Sequence, residues 1–524
     1  MDKNKFDLIV IGSGIGGLTV ATLMTKIFNK KVLVLEKHFK AGGFTHTFKR
    51  KNYHWDVGLH YVGDMDKKSM PRKVFDFITD KKLDWQKMND PFEKFVFPDF
   101  TFEVGSGEAN YKNDLIKKFP QEKEAIIQYF EGLKKANRIL SIYFMIISFS
   151  IKTRKILLPL LNIFFKLSKL STKEYLDSIF KDEKLKALLT SQWGDYGLSP
   201  AKSSFLIHST IVNHYMNGGY YPVGSSSKIA EYASQIIENN GGKVLTSHPV
   251  KEIIIKNEKA IGVKVEHKNG SKTEILEFYA DNIVSNAGAY LTYKNILDPK
   301  YSNDFIKDME SISYGTSHVN VFLGLKESPE KLGFKGENHW LYESYDHDKL
   351  AETCTKNLLK GNVETCYLSF PSMKDPDAKS HTAEIIMISD YNQFKDWEDT
   401  TWKKRGENYD SIKDDIAKNL INYIDSKYKG FKDLVDYYEV STPLSTEHFT
   451  SHKFGNIYGI PATPERYRKY WLGIKTPVKN LYLTGTDAGA HGIVGAMMSS
   501  IFTTAVINGG LFKLFKIFKD ISKY

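Results

Sequence analysis

Cysteine is scarce in this 524-residue chain, which contains only Cys354 and Cys366. Their separation fits no CxxC pair, and no HExxH pattern, Walker loop or GxSxG elbow stands in a supporting context. A disulfide framework and a metal site are therefore not indicated. The low cysteine usage is typical of a reducing compartment.

Long apolar runs are also lacking, since no stretch reaches the roughly 18 residues that a bilayer span requires. The first five residues lead directly into an apolar strand, and we expect no secretory signal. Aromatic residues, by contrast, reach 13% in a chain that is 41% hydrophobic and 26% charged. This composition indicates a globular protein, and the length predicts two or three domains, which can be interleaved.

The N-terminal pattern predicts a β-α-β unit. Residues 6–11 form an apolar run of strand type, residues 15–27 carry apolar residues at helical spacing, and residues 31–36 form a second run that ends in an acid. Further apolar strands are expected at 280–287 and 480–484.

A GxGxxG motif joins the first strand to the helix, with glycines at Gly12, Gly14 and Gly17 and with Ser13 between the first two. Such a loop makes a tight turn, lets the backbone approach a pyrophosphate and brings the helix close to the strand. The helix N-terminus then faces the diphosphate charge. We therefore predict a Rossmann-type dinucleotide site.

Glu36 closes the second strand, where a carboxylate accepts hydrogen bonds from ribose hydroxyls and repels a 2′-phosphate. FAD or NAD is therefore expected rather than NADP. The second glycine pair, Gly42 and Gly43, lets backbone amides reach the far side of the same diphosphate and favours FAD. We also place Lys37 and Val250 at this cofactor site.

A distant C-terminal segment completes the predicted cofactor site. Gly485 and Asp487 follow the last strand, and a helix rich in small residues begins near Gly492. Asp487 can bind a ribityl hydroxyl, while the helix N-terminus, with Ile493, can face the flavin edge where negative charge collects on reduction. A helix end stabilises an anion by roughly 0.3–2 kcal/mol.

The middle of the chain predicts a small antiparallel meander. Its strands are expected at 242–255 and 260–266, with turns at 256–259 and 268–271.

We therefore expect an α/β fold in which a Rossmann-type, glutathione-reductase-like FAD-binding domain is interleaved with an α+β substrate domain. The expected boundaries are 1–70, 215–300 and 475–507 for the FAD-binding domain, 71–214 and 301–474 for the substrate and membrane-associated domain, and 508–524 for an amphipathic basic tail.

Four motifs resemble those of the all-trans-retinol 13,14-reductase family and its bacterial-type relatives. They are DVGLHYVG at 56–63, GGYYPVGS at 218–225, VSNAG at 284–288 and TGTD at 484–487. That group is related to phytoene desaturases and carotenoid isomerases. The resemblance implies a non-covalent FAD and an enzyme that reduces, desaturates or isomerises carbon–carbon double bonds of an apolar polyene or isoprenoid lipid. His491 stands where vertebrate reductases carry an acid-containing stretch, so the same regiochemistry is not implied.

Hydride transfer needs mainly orientation, together with a proton donor or acceptor for the second carbon. His60 and Tyr61 are the first catalytic candidates, with His491 and His214 behind them, although a packed structural role would suit any of these histidines. Asp195 would suit a polar contact in the substrate domain, but its position beside a glycine favours a turn-stabilising aspartate. NAD(P) stays open as an electron donor, but no second nucleotide motif is evident.

The net charge of +11 allows an anionic partner, and the distribution of the basic residues separates the candidates. Residues 134–173 carry Lys and Arg but no Asp or Glu, and these basic residues alternate with apolar stretches at 139–151 and 156–165. Residues 511–519 repeat this combination, with lysines at every third position between large apolar residues. Both segments fit helices on an anionic membrane surface; the alternative is a cap over the substrate cavity and a tail packed on the core. Nucleic acid is not expected.

We predict a cytoplasmic protein, peripheral on the inner face of the cell membrane.

Two rival functions stay open at this point. One is an amine-oxidase-like flavoprotein that acts on a polar substrate with O₂. The other is a non-catalytic lipid carrier with a flavin fold, like the GDI proteins. The complete set of glycines and acids at the predicted cofactor site argues against the carrier. An absorbance spectrum of the purified protein would separate a flavoenzyme from such a carrier.

Overall fold

The computed structural model describes residues 5–270, 272–312 and 315–524. The strands are, in chain order, β1 (Lys5–Ile11), β2 (Val32–Leu35), β3 (Thr47–Arg50), β4 (Tyr53–Asp56), β5 (Trp85–Lys87), β6 (Glu93–Val96), β7 (Thr101–Val104), β8 (Tyr220–Pro222), β9 (Lys243–Leu245), β10 (Val250–Lys256), β11 (Lys259–Asn269), β12 (Lys272–Ser285), β13 (Ser317–Leu325), β14 (Asn338–Tyr342), β15 (Thr365–Ser369), β16 (His381–Ser389), β17 (Val435–Ser441) and β18 (Leu481–Leu483).

The helices are α1 (Ile15–Phe28), α2 (Met70–Ile78), α3 (Glu108–Lys118), α4 (Lys123–Ile147), α5 (Ile151–Phe164), α6 (Thr172–Asp177), α7 (Glu183–Leu189), α8 (Phe205–His214), α9 (Ser227–Asn239), α10 (Ala289–Leu291), α11 (Asn303–Ser311), α12 (His347–Leu358), α13 (Pro371–Lys374), α14 (Glu407–Lys427), α15 (Phe431–Leu434), α16 (Pro443–Thr450), α17 (Gly492–Ile507) and α18 (Lys513–Ile521).

A parallel sheet in the order β18-β12-β1-β2-β9 forms the first half of the molecule. Both of its faces are covered, which explains the continuous apolar character of β1. Leu8 and Val10 pack on α1 and α9, whereas Ile9 and Ile11 pack towards the meander. The predicted β-α-β unit and the late strand at 480–484 are confirmed.

The meander is formed by antiparallel pairing of β10, β11 and β12, with a turn at 257–258 between β10 and β11. The single strand predicted over 242–255 is wrong, because β9 pairs with β2 and β10 pairs with β11. Ser247 has a positive φ and Pro249 cannot donate a ladder hydrogen bond, so the chain turns between the two strands. The second predicted turn ends at Ser271, which, like residues 1–4, lies outside the described residues.

A second sheet, in the order β17-β13-β16-β15-β14-β6-β7, is antiparallel except between β14 and β6. Side chains alternate between its faces. One face packs on α12 and α14 through residues such as Leu341 and Leu368. The other face carries Trp340, Tyr342 and Tyr367 and shares a core with α4 and α8.

The basic segment 134–173 folds as the second half of α4, all of α5 and the residues up to the start of α6, with one side buried and the other exposed. Ile139, Leu140 and Tyr143 of α4 are core residues, so most of the apolar stretch 139–151 faces protein. Arg154 is buried, and its guanidinium donates to the carbonyls of Tyr470 (2.7 Å) and Lys475 (2.9 Å). The buried residues of this segment therefore cannot contact lipid, whereas the exposed apolar side chains of α5 remain on the surface.

The tail helix α18 packs on the parallel-sheet half. Ile517 and Ile521 are buried among residues of α1, α2 and α17, whereas Phe512 and Phe515 are 70% and 79% exposed. The division of the chain into domains stays a prediction. Among the described residues, no helix has the length and apolar character needed to cross a bilayer.

Candidate functional site

The GxGxxG loop lies at the carboxyl end of β1, beside the second glycine pair. Gly14 forms an isolated parallel bridge with Gly42, so the two predicted diphosphate-binding segments are neighbours. A Cβ on Gly17 would lie 2.2 Å from the carbonyl oxygen of Gly12, and for this reason only glycine allows α1 to approach the strand. Gly42 and Gly43 both have positive φ, 119° and 55°.

Glu36 lies at the end of β2 and is held by the glycine loop. Its carboxylate accepts hydrogen bonds from the backbone N–H of Ser13 (2.9 Å), from the Ser13 hydroxyl (2.7 Å) and from the N–H of His38 (2.7 Å). The Ser13 hydroxyl in turn accepts from the N–H of Gly42 at 3.1 Å. Ser13 therefore holds the Glu36 carboxylate and the second glycine pair in one fixed arrangement. Lys37 donates to the carbonyl of His448 at 2.9 Å.

Asp487 is buried at the end of β18 and connects three segments. One carboxylate oxygen accepts from the N–H of Ile460 at 2.8 Å, and the other accepts from the N–H of Ala289 at 2.7 Å. Each oxygen retains a second acceptor site. Gly485 lies against Gly16, where an added Cβ at Gly16 would be 2.9 Å from the Gly485 Cα.

One continuous cavity of about 980 Å³ runs along these segments, within the size range of ligand sites. The predicted cofactor residues that line it are Gly12, Gly14, Glu36, Lys37, Gly42, Gly43, Val250, Asp487 and Ile493; Ser13, Gly17 and Gly485 support them from behind. The cavity then extends to the inner face of the second sheet at Trp340, Tyr342, Tyr367, Ile386 and Ile388. A polar groove for a dinucleotide thus leads into an aromatic and aliphatic chamber.

His60 lines this cavity because two distant motifs anchor the loop that carries it. Asp56, at the end of β4, accepts hydrogen bonds from the N–H of Ser226 (2.8 Å), the Ser226 hydroxyl and the hydroxyl of Tyr221. Burial raises the pKa of Asp56 to about 6, and these hydrogen bonds oppose that shift. The His60 Nδ1 lies 3.1 Å from a carboxylate oxygen of Glu384, which is fully buried on β16.

Tyr61 points away from the main cavity and contacts Asp195. Its hydroxyl donates to Asp195 at 2.7 Å, and its ring stacks on Tyr215 with centroids 4.1 Å apart. Asp195 itself lines the cavity. The interpretation of this residue as a turn-stabilising aspartate did not predict that position. Burial raises the pKa of Asp195 to about 6.

A buried polar cluster on the inner face of the second sheet supports these residues. Glu93 of β6 accepts from the amide of Gln192 (2.7 Å) and the indole N–H of Trp340 (3.1 Å). Burial, and then the charge of Asp195, raise the pKa of Glu93 to about 8. Desolvation lowers the pKa of Lys374 to about 7, against the opposing effect of carboxylates such as Glu384. Sequence reasoning missed this cluster.

Two of the histidine candidates already have protein partners. His491 is buried; its Nε2 lies 2.8 Å from the carbonyl oxygen of Ile460, and desolvation lowers its pKa to about 3. It is therefore neutral at physiological pH, an Nε2–H donor to that carbonyl. The Nε2 of His214 accepts from the N–H of Gly63 at 2.9 Å. This geometry favours positioning roles, and a catalytic role for His491 stays a prediction.

Residues 15–508 match the family model described as flavin containing amine oxidoreductase. All-trans-retinol 13,14-reductase of Danio rerio is 32% identical, covering 96% of this chain and 86% of the relative, and prolycopene isomerase 1 of an Oncidium hybrid cultivar is 25% identical, covering 95% and 83%. An oxidoreductase from Methanosarcina mazei has the same fold, with a TM-score of 0.60 at 16% identity over 96% of this chain and 99% of that one. The predicted fold class and FAD cofactor are confirmed. The chain therefore belongs to the flavin containing amine oxidoreductase family, in the branch that includes all-trans-retinol 13,14-reductase.

Proposed function

We propose that this FAD-dependent oxidoreductase reduces a carbon–carbon double bond of a retinoid-like polyene. The observation that most directly supports this proposal is that the dinucleotide groove is continuous with the chamber lined by Trp340, Tyr342 and Tyr367. Flat aromatic walls suit a conjugated chain, and burial of apolar surface drives its binding. Reduction is favoured over isomerisation because the reductase relative is 32% identical and the isomerase relative 25%.

The residues present fit FAD. In our proposal the amides near Gly14 and Gly43 bind the diphosphate, Glu36 binds the adenosine ribose and Asp487 binds the ribityl chain through its remaining acceptor sites. The N-terminus of α17, with Ile493, faces the flavin edge that becomes negative. When bound, FAD supplies the hydride chemistry. NAD(P) as the electron donor stays a prediction.

The proton for the second carbon comes from Asp195 in our proposal. Saturation of a double bond needs a proton as well as a hydride, and an apolar chamber holds little water to provide it. Asp195 lines the chamber and contacts the Tyr61 hydroxyl, and its raised pKa keeps a substantial protonated fraction near pH 6. Tyr61 therefore acts by positioning this acid. His60, whose Nδ1 lies 3.1 Å from a carboxylate oxygen of Glu384, is the alternative donor on the same wall.

An anionic membrane surface is the proposed source of the substrate. Exposed apolar side chains on and beside α4, α5 and α18 support it: Met145, Phe149, Ile156, Leu160, Ile163, Phe164, Phe512 and Phe515. Lys152 and Lys155 are exposed beside this surface and provide the complementary charge. We accordingly propose a peripheral, cytoplasmic location on the inner face of the cell membrane.

Anaerobic incubation of the holoenzyme with dithionite and all-trans-retinol tests the reaction. We expect a product heavier by two hydrogens, with an absorbance maximum at shorter wavelength because conjugation is interrupted. A product of unchanged mass would instead support isomerisation. Oxidation of amines under O₂, without action on the polyene, would support the amine-oxidase-like rival, and purification without flavin would support the carrier.

A further inference from the structure

A second chamber of about 430 Å³ lies directly beside the main cavity. It lies between α4, α8 and the start of α17. The two chambers share one set of boundary residues: Gly58, His60, Asp195, Tyr458, Gly492 and Ile493. A chain that extends from one chamber into the other must therefore pass Asp195 and the N-terminus of α17, where the proposed reaction takes place.

The far end of the main chamber and the second chamber are lined by different side chains. The main chamber ends on aromatic and aliphatic side chains of the second sheet, among them Trp340 and Ile386. The second chamber combines apolar residues with a group of polar side chains from α4 and α8: Asn137, Ser141, Thr210 and Asn213. Its chemistry suits the polar end of a molecule whose remainder is hydrocarbon.

Two of these polar side chains retain acceptor atoms. The Thr210 hydroxyl donates to the carbonyl of Leu206 at 2.9 Å, and the Asn213 amide donates to the carbonyl of Ser209 at 2.7 Å. Because the donors are directed back to the helix, the oxygens of both side chains are left as hydrogen-bond acceptors. They match a hydroxyl group that donates.

The mouth of the second chamber lies beside the proposed membrane surface. Ser141 of α4 lines the chamber and is exposed, Met145 lies one turn further along α4 with 45% exposure, and Phe149 lies just after the helix with 41% exposure. A lipid that enters here with its hydrocarbon end first leaves its polar end nearest the mouth.

The geometry points to the second chamber as the binding site for the hydroxyl end of an amphipathic isoprenoid alcohol, held by Thr210 and Asn213. This inference rests on the proposed function and deepens it, because it sets the direction in which the substrate lies. The hydrocarbon end extends against Trp340 and Tyr367, and the double bond that reaches Asp195 is one near the hydroxyl end.

All-trans-retinol and its methyl ether test the inference, because the two share one polyene and only the alcohol can donate a hydrogen bond. Binding to the oxidised holoenzyme is followed by quenching of its intrinsic fluorescence, which requires no turnover. For the native protein we expect retinol to bind about 3- to 10-fold more tightly than the ether. In the double variant Thr210→Val, Asn213→Leu this preference disappears.

Thr353→Val is the matched control, since Thr353 also donates to a helix carbonyl four residues earlier but lies on α12. If the double variant loses flavin or folds poorly, the single variant Thr210→Val is tested instead, because valine has a shape similar to that of threonine. Equal binding of alcohol and ether to the native protein, an unchanged preference in the variants, or binding of neither ligand overturns the inference. A preference for retinol without its reduction supports the chamber and refutes the proposed reaction.

Discussion

Replacement of Asp195 by asparagine is expected to increase stability while reducing activity. Burial raises the pKa of Asp195 from 3.8 to about 6. At about 1.4 kcal/mol per unit, the ionised carboxylate costs the native state roughly 3 kcal/mol at neutral pH. Asparagine stays neutral and removes this cost, although it also changes the hydrogen bond with Tyr61.

The sign of the pH dependence follows from the raised pKa. Between pH 3.8 and about 6 the native state holds a proton that the unfolded chain has lost. The stabilising effect of protonated Asp195 is complete below pH 3.8 and is lost as the pH rises through 6. Part of this pKa change lies above pH 5, so the advantage of Asp195→Asn should grow by about 1 kcal/mol between pH 5 and pH 8.

Urea denaturation at these two pH values, together with turnover per bound flavin, measures both effects. We expect turnover to fall by about 10²- to 10⁴-fold when the acid is lost. Asp281→Asn, at an exposed position on β12, is the control and should change neither property. A stability difference independent of pH, or normal turnover in Asp195→Asn, would refute the reasoning.

Three further predictions address the cofactor, the second proton donor and the membrane. Glu36→Arg should lose FAD, measured by absorbance, whereas the exposed Glu352→Arg should keep it; tight flavin in the first variant would remove Glu36 from the ribose site. His60→Ala should keep flavin and slow turnover by about 10²- to 10⁴-fold, and a near-normal rate per bound flavin would exclude it as an acid. Phe512→Ser with Phe515→Ser should weaken sedimentation with anionic vesicles, as should raised salt; unchanged binding would reject this surface.

The cofactor half of the site could be predicted because its signals are local in sequence. A strand, a glycine turn and a helix follow one another from Phe6 to Phe28, and the requirement for glycine at Gly17 is imposed by Gly12 within the same unit. Glu36 could be placed because the next strand runs parallel to the first. The error over 242–255 arose because the strands β9 and β10 are separated by only four residues, 246–249, and the turn signal of Pro249 within them was passed over.

The chemistry on the substrate side could not be predicted from local pattern. Glu93, Asp195 and Glu384 are far apart in sequence and meet only because β6 and β16 present one face to the chamber. One signal was present: Glu384 interrupts the otherwise apolar run of β16 at an inward-facing position, and a carboxylate there needs a partner. Asp195 was missed because glycine neighbours suggested a turn.

A single-turnover experiment tests whether electrons pass from the flavin into a polyene. Holoenzyme with fully reduced flavin is mixed anaerobically with one equivalent of all-trans-retinol, and the absorbance of oxidised flavin is followed. We expect stoichiometric reoxidation of the flavin together with a product heavier by two hydrogens. Flavin that stays reduced while the polyene is recovered unchanged or only isomerised would contradict it.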